Sequence, residues 1–311
     1  MSTSPAVLNF AHAAVVLAMP ILMVGIVNRT KSWWAGRRGP KLFQSFWDLM
    51  RLLRKQPVTS SVATPIFRVG PWVVLVASLL AALIAPVFGA VAPLRFDHDF
   101  ILLAYALGLA RIFMMLSAMD VGSSFEGMGA AREASFTAFI EPALFLLVGT
   151  AALATGQASL AGALGQWQDS ASFQWFAVPA VLVLFVLLQA EAARVPVDDP
   201  LTHLELTMIH EVMVLDHSGP ELAAMQYAAA VKMTLYAGLL AALLNPFDAH
   251  AEPLAAIAAS VALMAAVAVA VGCVESLVAR LRMRHVPRYL MLATALAALG
   301  LGAAGWMAGA A

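Results

Sequence analysis

The chain has 311 residues, 62% hydrophobic and 12% charged, with 18 basic and 18 acidic side chains. A soluble domain carries about 25% charged residues, so this composition excludes an ordinary soluble globule. A net charge of zero excludes long-range attraction to nucleic acid. One cysteine, Cys273, excludes an internal disulfide and an iron–sulfur cluster held by this chain, which usually takes four thiolates. His12 is the only histidine well inside an apolar run, so a haem held between two histidines lacks its second ligand. The chain is therefore expected to carry no redox centre and to bind no metal of its own.

A bilayer core of about 30 Å needs about 20 apolar residues per helix. Eight runs qualify, at about 5–27, 70–92, 99–119, 136–156, 172–191, 222–245, 253–279 and 288–309. The first has no basic residue before it and no small-residue cleavage site after it, so it reads as a retained span and not as a signal peptide. The predicted architecture is all-α: one integral membrane domain over 1–311, a polytopic bundle of about eight spans with cytoplasmic amphipathic helices. With eight spans, Arg29, Lys31, Arg37, Arg38, Lys41, Arg51, Arg54, Lys55, Arg68, Arg132, Arg194, Arg280, Arg282, Arg284 and Arg288 fall on one side, and Arg95 alone on the other. The positive-inside bias then puts the connections at about 28–69, 120–135, 192–221 and 280–287 in the cytoplasm, and both termini outside.

In the first connection, GRRGPKLFQSFWDLMRLLRKQP, helical spacing puts Leu42, Phe46, Leu49 and Leu53 on one face and Lys41, Gln44, Asp48, Arg51 and Lys55 on another. This predicts an interfacial helix. It serves either as a surface anchor or as a docking ledge for a peripheral subunit that uses Arg37, Arg38, Asp48 and Arg51. The next connection on that side, DVGSSFEGMGAARE, reads as a plain turn region.

The stretch EAARVPVDDPLTHLELTMIHEVMVLDHSG, from Glu191 to Gly219, is acidic and histidine-bearing, and it lies between two spans. A loop this long in a membrane protein suggests a docking or proton-handling surface. Asp199-Pro200 has the form of an N-cap with proline at the first helical position. Leu201, Leu204, Met208, Val212 and Leu215 recur at helical spacing, with His203 and His210 opposite them and Glu205 and Glu211 at the borders. That pattern predicts a short amphipathic helix. Ser218 to Glu221 has the spacing of a capping box for the next span. His203, His210, Glu211, Asp216 and His217 invite a metal reading. No HExxH and no histidine pair at i, i+4 supports it, and a partner-contacting, proton-accessible or merely solvated surface fits better.

Charges inside spans cost at least about 2.5–3.5 kcal/mol each on insertion scales, and so they usually face the bundle interior in pairs. Arg111 and Lys232 lie near span centres, and Glu141, Glu191 and Glu275 fall in the cytoplasmic half. Two readings compete: buried ion pairs that fix helix register, or a proton relay. Glu275 has a third option, snorkelling to the interface.

Three stretches, GRRGPKLFQSFWDLMRLLRK, FEGMGAARE leading to FIEP, and EAARVPVDDPLTHLELTMIHEVMVLDHSG, resemble the membrane-anchor subunits of energy-conserving nickel–iron hydrogenases. These include formate hydrogenlyase subunit 4 and hydrogenase-4 component C, within the respiratory complex I subunit 1 family. The resemblance spans essentially the whole chain. It implies a non-catalytic helical bundle beneath a nickel–iron and iron–sulfur module. The implied partners are the hydrogenase large and small subunits, an iron–sulfur protein and antiporter-like membrane subunits. The implied setting is the bacterial or archaeal cytoplasmic (inner) membrane, with electron transfer coupled to proton or sodium translocation. Glu191, Arg194, Pro196 and Asp198 match the family's Glu-x-x-Arg-x-Pro-x-Asp element. Glu205 matches its next acidic residue, Asp216 to Gly219 its loop end, and Glu141 its buried glutamate. Complex I relatives have Phe where Val197 stands and a shorter path to the Ser-Gly, which weighs against a bound quinone. Asp198-Asp199-Pro200 and His210-Glu211 look like the hydrogenase branch. A quinone-site subunit of an NADH-quinone oxidoreductase, a stand-alone ion transporter and a purely structural anchor are the rival readings.

Overall fold

Prolines, glycines and caps divide the apolar runs into helices. A computed structural model describes residues 5–168, 173–199 and 207–310 of the chain. The helices are α1 Pro5–Trp34, α2 Gln44–Leu53, α3 Pro65–Ile84, α4 Asp99–Asp120, α5 Ser124–Thr155, α6 Leu160–Trp167, α7 Phe173–Glu191, α8 Gly219–Leu244, α9 Pro253–Leu277 and α10 Val286–Ala310. Short 3-10 turns occupy Glu211–Val214 and Met283–His285, and no strand is formed among the described residues. Eight of these helices, all but α2 and α6, are long and apolar enough to cross a membrane.

Helix boundaries follow local chemistry. Thr64 caps α3 by accepting the Ile66 N–H, and Pro65 takes the first turn, where a missing N–H costs nothing. Pro86 forces Ala85 out of helical geometry (ψ 125°). The predicted second span therefore ends at Ile84, and its apolar tail to 92 forms a loop with one bridge between Phe88 and Val91. α7 closes in a Schellman arrangement: Arg194 N–H bonds Gln189 O at 2.8 Å, and Ala193 takes the left-handed conformation (φ 50°).

α8 is the hub. It packs against α1, α2, α3, α6, α7 and α9, and every residue from Val231 to Leu243 is buried. Its many alanines let neighbouring backbones approach closely, which is how helices associate where lipid is as apolar as leucine. α3 pairs with α4, α5 with α10, and α1 with α9 around it.

Three expectations are corrected. Residues 124–135 are not a turn region but the first turns of α5. Gly122 (φ 73°) ends α4, and the small residues that looked like loop let this segment pack closely. A Cβ on Gly129 would sit 2.3 Å from Val212 Cγ1. The amphipathic helix proposed for the fifth connection is not formed where that connection is described. Residues 207–210 form turns, the Glu211–Val214 segment is one 3-10 turn, and Leu215 is exposed. Asp198 explains this, because its carboxylate accepts the Ile209 and His210 N–H groups at 3.1 and 2.8 Å in place of helical carbonyls. The Asp199-Pro200 start of that helix, with Leu201, His203, Leu204 and Glu205, lies outside the described residues. The capping box at Ser218 is absent because Ser218 Oγ accepts from Val58 N–H at 2.8 Å instead.

The helix predicted in the first connection forms as α2. Phe46, Leu49 and Leu53 face a cleft of about 310 Å³ with α1, α3 and α8. Arg37 and Arg38 lie in the loop before it, not on it.

Candidate functional site: a buried charge network

Arg111, on α4, is 3% exposed and meets three carboxylates. Nη1 donates to Glu141 at 2.6 Å, Nη2 donates to Glu191, and Nε lies 3.5 Å from Glu133. Glu133 and Glu141 stand eight residues apart on α5, and Glu191 is the last residue of α7. Lys232 of α8 reaches Glu191 from the other side at 3.6 Å. Tyr236, one turn from Lys232, is fully buried with its hydroxyl unpartnered among the described residues. The guanidinium fork suits this role because one rigid group can serve several carboxylates at once. Among the described residues, three carboxylates thus face two cations, and one proton would balance the set.

Glu275 of α9 shows the reverse proportion. Its side chain is 0% exposed and sits between Lys31 Nζ at 2.7 Å and Arg194 Nη1 at 3.4 Å. It is held by two cations, and its carboxylate is covered by protein. Arg194 is placed for this by the α7 terminus described above.

A third cluster fixes the long loop. Asp198 accepts from the backbone N–H of Asp199, Ile209 and His210, and pairs with Arg280 at 2.8 Å. Arg280 also donates to Thr207 O, and Arg132 donates to Met208 O at 2.6 Å. Burial pushes the Asp198 carboxyl up, against the N–H groups and Arg280 that favour its charged form. Burial also pushes the neighbouring Glu211 up to about 7; Asp198 adds to this and Arg194 opposes it. Burial, then the charges of Lys232 and Arg111, hold the His210 imidazole down at about 3.

Arg194, His210 and Glu211 line a cleft of about 360 Å³ with Asp48, Gln226 and Tyr227, between α1, α2 and α8. His210 ties this cleft electrostatically to Lys232 and Arg111. Ionisable groups thus occur both in this loop and, as ion pairs, among α4, α5, α7 and α8.

Beyond this cluster, His217 stacks on Phe67 with centroids 3.9 Å apart, and its Nε2 lies 2.9 Å from Ser117 Oγ. Burial holds His217 at about 4. Asp216 is exposed, and its N–H is accepted by Glu126 at 3.1 Å. Asp48 pairs with Arg51 on the α2 surface.

Glu133, Glu126 and Tyr236 were missed from sequence. The usable signal for Glu133 was its spacing from Glu141, visible only once 124–135 is recognised as helix. No group of three His, Cys, Asp or Glu suited to a metal occurs among the described residues. Cys273 is the only sulfur ligand of its kind in the chain, and it accepts from Trp34 Nε1 at 3.3 Å.

Eight helices long and apolar enough to cross a membrane, with a network of ion pairs among α4, α5, α7 and α8, are the make-up of an integral membrane protein. Residues 7–304 match the family NADH dehydrogenase, and the chain belongs to it, the subunit 1 family of respiratory complex I. Hydrogenase-4 component C of Escherichia coli K12 is 30% identical over 242 residues, covering 78% of this chain and 76% of its own. Formate hydrogenlyase subunit 4 of the same strain is 30% identical over 289 residues, covering 89% and 91%. A subunit of the NADH-quinone oxidoreductase of Rhizobium rhizogenes is 27% identical over 256 residues, covering 74% and 73%. The fold is shared with a chain of the membrane-bound sulfane sulfur reductase, an archaeal respiratory membrane complex. That likeness has a TM-score of 0.80 at 20% identity and covers 96% and 99% of the two chains.

Proposed function

We propose that this chain is the membrane subunit of a hydrogenase- or formate hydrogenlyase-type oxidoreductase. It anchors a peripheral nickel–iron and iron–sulfur module and couples electron transfer there to proton (or sodium) movement through antiporter-like neighbours. The observation that carries the reading is the ion-pair chain Lys232–Glu191–Arg111–Glu141, with His210 and Glu211 lining a cleft between α1, α2 and α8. A charge change at the loop-bearing end would be felt at Glu191, where low dielectric strengthens the coupling. The proton then sits on the carboxylate set around Arg111, which carries one charge more than its cations. The nickel, iron and clusters belong to the hydrogenase large and small subunits and an iron–sulfur protein, since one cysteine cannot supply cluster ligands. The bias of basic residues supports a bacterial or archaeal cytoplasmic membrane setting with the loop-bearing end inside and both termini outside.

A gentle-detergent pull-down of the tagged chain, with mass spectrometry and metal analysis, tests the anchor. Nickel, iron and hydrogenase-like subunits in the eluate are expected, and a chain recovered alone and metal-free would overturn the reading in favour of a stand-alone transporter. Glu191→Gln tests the relay: complex yield is expected to hold while ion movement falls at least about tenfold, the scale of one lost acid–base group. Unchanged movement would sink the relay.

A second reading is a quinone-site subunit. It is favoured by the cleft of about 360 Å³ among α1, α2 and α8 and by the quinone oxidoreductase relative. Iron without nickel, together with flavin and quinone in the same eluate, would support it.

A further inference from the structure

We propose that the pocket between the end of α1 and the loop before α2 binds the phosphate of an anionic phospholipid headgroup. The pocket has a volume of about 660 Å³ and is lined by Arg29, Thr30, Trp33, Arg37, Arg38 and Lys41. None of its four cations lies within ion-pair distance of an acid among the described residues. The nearby acids are committed elsewhere, Asp48 to Arg51 and Glu275 to Lys31 and Arg194. In a chain of net charge zero, this is a concentrated and unmatched positive site.

Its walls are set by the backbone. Gly36 takes φ +67°, and the chain then doubles back along α1. A Cβ on Gly39 would lie 3.0 Å from Ser32 Cβ and 3.1 Å from Arg29 Cα, and one on Gly25 would lie 2.0 Å from Leu42 O. The loop is thus pressed against the helix, and Arg37, Arg38 and Lys41 are held around Arg29 before any ligand arrives. Pre-organisation of this kind lowers the cost of binding. Two or three guanidinium forks suit the paired oxygens of a phosphodiester.

The level of the pocket selects a lipid over other anions. α1 has 30 residues, about 45 Å at 1.5 Å per residue. The hydrocarbon core is about 30 Å thick, and the bilayer with headgroups about 40–45 Å. The last turns of α1 therefore fall in the headgroup layer. Trp33 and Trp34, both exposed, are the side chains that settle there. Basic pockets at that depth attract anionic lipid by roughly 1 kcal/mol per Lys or Arg.

The full chain is reconstituted in phosphatidylcholine nanodiscs, and bound phosphatidylglycerol is counted by native mass spectrometry and by displacement of a fluorescent analogue. Retention of phosphatidylglycerol over phosphatidylcholine is expected. Binding should weaken about thirtyfold in R37Q/R38Q and return in R37K/R38K. R282Q/R284Q removes the same charge from exposed positions before α10 and should change little. Equal weakening in that control, unchanged binding in R37Q/R38Q, or full displacement by inorganic phosphate would each overturn the proposal. So would loss of peripheral subunits from the intact complex with the lipid count unaltered. The lysine pair keeps the test decisive if R37Q/R38Q fails to fold, because loss of the lipid in a folded R37K/R38K would also overturn it.

Discussion

Arg111 and Glu275 are the buried centres of two clusters made from the same kinds of group in opposite proportion. Around Arg111, three carboxylates face two cations; around Glu275, two cations face one carboxylate. Their surroundings differ as well. Arg111, Glu191 and Lys232 are closed in by α4, α7 and α8, whereas Lys31 and Arg194 keep 20% and 12% of their side chains exposed. A surplus cation with a route to water costs little, whereas around Arg111 only Glu141, with 43% of its side chain exposed, and Glu133, with 12%, lie open, and a surplus negative charge next to the closed Arg111–Glu191 pair is eased by a proton or a counter-ion. On the function proposed above, the first cluster holds a mobile charge and the second holds helices in register.

Breaking the centre of each cluster should expose that difference. Arg111→Met strands three carboxylates beside Lys232 alone. A loss of about 3–5 kcal/mol is expected, the scale for removing one partner of a buried pair, and it would be read as a collapse in yield or in the unfolding temperature of the solubilised chain. Adding Glu191→Gln should recover part of it. Glu275→Gln should cost less, about 1–3 kcal/mol, with ion movement retained. If it abolished movement instead, the division of roles would be wrong.

The long loop sharpens the contrast through pH. His217 is held at about 4 against an ordinary 6.5, so the unfolded chain takes up a proton first. The contribution of its neutral ring is whole above about pH 6.5 and is lost as pH falls towards 4, a span of up to about 3 kcal/mol. H217F keeps an aromatic ring for Phe67 and should flatten that part of the stability profile. Glu211 slopes the other way. Its folded value of about 7 lies above the ordinary 4.5, so its contribution is whole below about pH 4.5 and is lost as pH rises through 7. E211Q should remove a carboxyl band that titrates near neutrality in infrared difference spectra. The smallest effect is expected at Ala193, where glycine relieves a left-handed conformation worth about 1 kcal/mol.

Much of this was legible from sequence. Eight spans were predicted and eight apolar helices of crossing length are present among the described residues, because apolar length is a local property. Arg111, Glu141, Glu191, Lys232 and Glu275 stood out as well, since charge in a span is conspicuous. Their partners did not. Arg111 meets acids 22 to 80 positions away in the chain, and Glu275 meets Lys31 across almost the whole of it; no local pattern encodes such meetings. The fifth connection misled because Asp198 takes the N–H groups of Ile209 and His210. A side-chain acceptor eleven residues upstream overrode helical spacing. The third connection misled because Gly127 and Gly129 look like turn residues, while Gly129 serves close packing against Val212.

α8 is the least apolar of the eight crossing helices, and 83% of its most apolar window is covered by protein. Such a helix has little to gain from lipid itself, and it also carries Lys232. Its retention in the membrane is therefore a collective property of the helices around it. The chain must commit its flanking segments before its own centre is secure, and a defect at the periphery would first be felt as expulsion of the middle.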